Sequence, residues 1–71
     1  MFQEIIFNPW TNNPLDFLEK PLTTADGKAV RITADLLGFH LFVDDGHIGN
    51  TKCNVTLCSH LNKLQVGRSA P

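Results

Sequence analysis

The chain reads as a small α+β domain: a mainly antiparallel β-meander of four or five strands with one short helix. Three observations predict this. Seventy-one residues allow one domain and little more, and a chain this size buries only about 60% of its unfolded surface. Two Asp-Gly pairs, Asp26-Gly27 and Asp45-Gly46, carry hairpin-turn chemistry between β-rich flanks. The densest apolar run, Leu36 to Val43, is apolar at both odd and even positions, as in a strand buried on both faces.

Taken in order, Phe2 to Phe7 contains β-branched Ile5 and Ile6 and predicts a first strand. Asn8-Pro9 ends it, because proline cannot donate to a ladder. Asn13 then supplies a helix cap and Pro14 a first helical residue, so a short helix is expected from Asn13 to Lys20, stopped by Pro21. Leu22 to Ala25, the Asp26-Gly27 turn and Lys28 to Thr33 form a hairpin. Ala34-Asp35 is expected to turn into the central run, and Gly49-Asn50 is expected to make a further turn. An alternative parse continues a helix through 33–42 and gives a small winged or helical-hairpin domain instead.

The cleanest alternation lies at Lys52 to Leu57. Cys53, Val55 and Leu57 point one way while Lys52, Asn54 and Thr56 point the other, which predicts a half-buried strand. Leu61, Leu64 and Val66 follow as a second short strand or as a helical turn from Ser59 to Leu64. Residues 1–66 are expected to form the globular unit and 67–71 a flexible C-terminal tail.

Charge is unevenly distributed. Residues 1–45 hold all seven acids against three bases, leaving −4, whereas residues 46–71 hold Lys52, Lys63 and Arg68 with no acid, leaving +3. Packing of one half against the other accounts for this, and a basic face toward nucleic acid is the sharper reading. No segment approaches the roughly 20 apolar residues of a membrane span, and no targeting signal is evident, so a cytoplasmic protein is expected.

The ligand-type residues are His40, His47, Cys53, Cys58 and His60. Zinc requires four ligands to converge, and on an extended strand Cys53 and Cys58 face opposite sides. No metal and no cofactor are therefore expected. Cys58 and His60 share one strand face in this reading, but no third group orients the imidazole and no oxyanion donor is evident. Asp44-Asp45 is explained by the hairpin, and no enzyme is expected. His40, the polar intruder in the central run, is expected to be a half-buried imidazole bonded to a backbone carbonyl. Val55 to Ser69 loosely resembles the end of a LuxR-type helix-turn-helix domain over a fifth of the chain; its internal spacing differs and no helix pair precedes it, so no function is carried over.

What remains is binding. Trp10 stands outside any regular element, either plugging the core or anchoring a partner, a role in which Trp is enriched. Lys52, Asn54 and Thr56 lie on the outward side of the expected edge strand, where strand addition would recruit a protein or make a homodimer. The expected function is a small protein–protein interaction module, an accessory or inhibitory regulator of the kind phages encode, without catalysis. The alternative is a nucleic-acid-binding dimer using Lys52, Lys63 and Arg68, although no aromatic residue interleaves with them.

Overall fold

Turn chemistry builds most of the sheet. The computed structural model describes residues 1–69 and shows six antiparallel strands with one α-helix against one face. The strands are β1 (Phe2–Glu4), β2 (Leu22–Thr24), β3 (Ala29–Asp35), β4 (Gly38–Val43), β5 (Gly46–Thr51) and β6 (Val66–Ser69), in the spatial order β1-β6-β2-β3-β4-β5. The α+β class and the antiparallel sheet match the expectation, with six strands rather than four or five.

Each hairpin has an identifiable cause. Between β2 and β3, Gly27 sits at φ 92° and its amide donates to the Thr24 carbonyl at 3.0 Å. Buried Thr24 satisfies its own hydroxyl there, donating to Asp26 and accepting from the Lys28 amide. Between β4 and β5, Asp44 and Asp45 both take positive φ, 51° and 65°, as a two-residue loop between right-twisted strands requires. Asp44 is further fixed by Ala29 on β3, whose amide donates to its carboxylate at 3.0 Å and whose carbonyl accepts from its amide at 2.8 Å.

The central run is a strand only from Gly38, which overturns the helical parse of 33–42. Thr33 to Asp35 end β3, and the turn falls on Leu36-Leu37 instead of Ala34-Asp35. Those two leucines, expected to be buried, are 100% and 63% exposed. The Asp35 carboxylate accepts from the Leu37 amide at 2.8 Å, and Gly38 at φ 114° lies where a Cβ would meet the Thr51 carbonyl. Within β4 only Leu41 is buried, so one face of the strand is covered and the other is not. Gly49-Asn50 does not turn: β5 runs through it, with a bulge because Phe42 pairs His47 while Leu41 pairs Gly49.

The second correction concerns Lys52 to Leu57. Asn54–Lys63 is an α-helix, α1. Its buried residues are Leu57, Cys58 and Leu61, with Leu64 packed one turn further on, which is a helical stripe. Period-two alternation over six residues cannot be told from the start of such a stripe until the following turns are counted. Beyond α1, Gln65 adopts φ 55° in the position that glycine usually fills, and the chain re-enters the sheet. Gly67 to Ser69, expected to fray, pair with β1 along their length, and Gly67 also pairs with Thr23 of β2 on its other side. Gly67 is needed at this crossing, since a Cβ there would overlap the Gln3 carbonyl and stand 2.7 Å from the Glu4 Cα. Residues 70–71 of the expected tail lie outside the described residues.

The first strand and the first helix are shorter than expected. β1 ends at Glu4, although the Ile5 amide still donates to Val66 at 3.0 Å. The expected helix is a single 3-10 turn, Pro14–Phe17, correctly capped by Asn13. Ile5, Phe7, Ile32, Leu41, Leu57, Leu61 and Val66 meet in one core, and each fully buried residue of this type contributes about 1.5–3 kcal/mol. Phe17 closes one side of it, edge-to-face on Phe7 at 5.3 Å. The helix and the N-terminal loop lie on the same face of the sheet, and the opposite face of β3, β4 and β5 carries Arg31, Asp35, His40, Phe42 and His47.

Candidate functional site

Residues 8–13 form a loop held by asparagine side chains. The Asn8 side-chain oxygen, Oδ1, accepts from the Trp10 and Thr11 amides, each at 2.8 Å, and the side-chain nitrogen donates to the Thr11 hydroxyl at 2.6 Å. Asn12 reaches back to the Ile6 carbonyl at 3.0 Å, and Asn13 to the Pro9 carbonyl at 3.1 Å. Asn and Asp are used at such turns because their short side chains imitate the next peptide group. The loop presents Trp10 with 89% of its surface exposed, which excludes the core-plug reading.

The loop is fixed to the start of α1. The Asn54 side-chain amide donates to the Asn13 side chain at 3.2 Å, and Pro9 and Val55 line one open cleft with Phe7, Cys58 and Asn62. Asn62 adds a two-way bond with the Phe7 backbone at 2.9 and 3.0 Å. Three large apolar side chains here are exposed: Trp10 on the loop, Leu15, whose amide donates to Asn13, and Val55, next to Asn54, at 62% exposure. Lys52 packs beside Gly38, next to the exposed Leu36-Leu37 tip.

Of the residues singled out from sequence, Trp10 and Asn54 are linked through the loop, whose Asn13 is bonded to Asn54 at the start of α1, and Thr56 lies on that helix and not on an edge strand. Lys52 to Leu57 offer no edge for strand addition, because Asn54 to Leu57 are the start of α1; the sheet edges are β1 and β5. Asn54 is engaged in bracing the loop, and the Cys58 thiol lies 3.6 Å from its oxygen. Thr56 has a different neighbour: its hydroxyl, followed by the Thr56 and Val55 amides at the helix start, holds the exposed Cys53 thiol below its ordinary value.

Cys53, which the strand reading puts on the apolar side with Val55 and Leu57, is exposed, and Cys58 is buried, its thiol pushed up first by burial. Cys58 and His60 stand two apart on a helix, so they point to opposite sides, and His60 is exposed. The three cations do not form one face. Lys52 precedes the helix, Lys63 ends it about 15 Å further along its axis, and the Arg68 guanidinium lies 5.9 Å over the Phe17 ring.

His40 bonds not to a backbone carbonyl but to side chains. Its Nε2 is 3.0 Å from the Asp35 carboxylate and its Nδ1 is 3.1 Å from the His47 Nε2. The His47 ring lies against Phe42, centroids 5.2 Å apart, and Arg31 stacks over the other side of the aromatic row at 4.7 Å from Phe42. The hairpin register was the available clue: carrying the Asp44-Asp45 turn back pairs Phe42 with His47 and leaves His40 diagonal to it on the same face.

Comparison of the chain with protein-family models, with curated proteins and with solved structures returns no match. Among the described residues no helix is long and apolar enough to cross a membrane.

Proposed function

We propose that this domain is a protein-binding module, an accessory or inhibitory partner that works without catalysis, with Trp10 as its anchor. The observation that carries the reading is the exposure of Trp10 on a loop whose backbone is already ordered by Asn8, Asn12 and Asn13. An exposed indole contributes large contact area, and a pre-ordered loop loses little conformational freedom on binding. Pro9, next to Trp10 in the chain, lines an open cleft with the exposed Val55, so apolar surface continues from the loop onto α1. The complementary surface on the partner is an apolar pocket sized for an indole, rimmed by hydrogen-bond acceptors for the ring N–H.

Affinity capture from host extract, with and without nuclease, tests the reading when wild type is run beside Trp10→Ala. The expected outcome is a nuclease-resistant partner held by wild type and lost from the variant, with the two proteins unfolding at the same temperature. Equal capture by both removes Trp10 as the anchor, and capture abolished by nuclease points to nucleic acid instead. Sedimentation of the purified protein identifies the case in which the partner is a second copy of the chain.

A further inference from the structure

We propose that His40 and His47 form a binding site for one divalent late-transition-metal ion, with Asp35 as the positioning carboxylate. The site lies on the uncovered face of the sheet, away from the Trp10 loop, and is independent of the partner-binding reading.

The spacing carries the argument. Two imidazole nitrogens bound to one ion at about 2.0–2.1 Å stand about 2.9–3.4 Å apart for angles between right and tetrahedral. His40 Nδ1 and His47 Nε2 are already 3.1 Å apart. Asp35 sets the tautomer. Because its carboxylate takes a hydrogen bond from His40 Nε2–H at 3.0 Å, the free lone pair of His40 is on Nδ1, the atom aimed at His47. A carboxylate behind the far ring nitrogen is the usual support of a metal-bound histidine, since it orients the ring and raises its basicity.

The second ring is held less tightly, as the change requires. Without metal, His47 donates its Nε2–H to His40. With metal, that proton moves to His47 Nδ1 through solvent, which the exposed ring permits, and both lone pairs then face the ion. His40, with only 15% of its side chain exposed, keeps its place between Asp35 and the strand. Phe42 supports the His47 ring from its own strand. The other groups facing the pair are Thr33 and Asn50, which pair with His40 on either side, and the Arg31 guanidinium, which is engaged with Phe42.

No third ligand-type side chain completes a cluster among the described residues, so an ion here keeps open positions for water. Two imidazoles and no bound carboxylate select nickel, copper or zinc over magnesium or calcium. They also predict the order of affinity nickel above cobalt above manganese.

The test is calorimetric titration of the untagged protein with nickel, cobalt and magnesium chlorides at pH 7.5, with proton NMR of the histidine rings during the nickel titration. The expected result is one nickel per chain, cobalt weaker, no heat from magnesium, and selective broadening of the His40 and His47 ring signals. His40→Ala and His47→Ala each weaken nickel binding at least ten-fold, Asp35→Asn weakens it about ten-fold, and His60→Ala and Cys53→Ser leave it unchanged. His47→Gln, which retains a hydrogen-bonding side chain toward His40, separates loss of the ligand from loss of the hairpin. No nickel binding, equal binding of magnesium, binding retained in both His47 variants, or binding lost with His60→Ala overturns the proposal.

Discussion

The two faces of the sheet are built from alternate residues of the same strands, yet they differ in kind. Along β3, Val30 and Ile32 point toward α1 and are buried, while Arg31 and Thr33 point away. Along β4, Leu41 is buried between His40 and Phe42 on the opposite face. The covered face joins with Leu57, Leu61 and Val66 and holds the fold. The open face carries a row of polar and aromatic side chains in contact with one another, from Arg31 over Phe42 and His47 to His40 and Asp35. Stability is concentrated on one side and chemistry on the other, and the Trp10 loop belongs with the second group although it sits on the helix side.

The comparison is broken most easily by unequal substitutions. Leu61 is fully buried, and Leu61→Ala is expected to cost about 2–5 kcal/mol through lost burial and the cavity left behind. His47→Ala on the open face removes one cross-strand pair and is expected to cost less than about 1 kcal/mol. Denaturant titration of both checks this, and similar losses would mean that the open face is structural too.

Gly67→Ala comes next. Its new Cβ would collide with backbone rather than with a side chain that can swing away, so the expected cost is about 1–3 kcal/mol. Hydrogen exchange locates the damage: protection should fall in β1 and β6 and persist in β3 and β4. Uniform loss would show that β1 is not a separable edge.

Much of this was legible from the residues and some was not. The hairpins at Asp26-Gly27 and Asp45-Gly46, and the Asn13-Pro14 helix start, follow from turn and cap chemistry that is local. The helix at Asn54 was hidden because its first turn alternates polar and apolar residues as a strand does, and only the following turns, which bury Leu61 and pack Leu64 in line with Leu57, decide between the two. β6 was hidden because Gly67, Arg68 and Ser69 have weak strand preference; pairing with β1, and at Gly67 with β2 as well, holds them there. Trp10 stood out by residue type, but its exposure depends on a loop held by three asparagine side chains that no periodicity reveals. The His40–His47 pair required carrying the hairpin register across the bulge.

A smaller effect sharpens the open-face side. The His40 ring, followed by the Leu37 amide, holds the Asp35 carboxyl below its ordinary value. A depressed folded value contributes stability that is full above the unfolded carboxylate value of about 4 and is lost as pH falls through the lowered folded value. Thermal unfolding of wild type and Asp35→Asn should therefore differ modestly at pH 7 and converge below about pH 4. A difference that persists at low pH would show that the carboxylate charge is not what His40 uses.

The central claim is that Trp10 is held out to solvent for a partner, and Trp10 is the only tryptophan in the chain. Its fluorescence therefore reports on this one position. In the free native protein the emission should match that of the unfolded chain and be quenched as strongly by iodide, then shift to shorter wavelength when the captured partner is added. Native emission already shifted to shorter wavelength and protected from iodide would place the indole against the protein's own core and contradict the account.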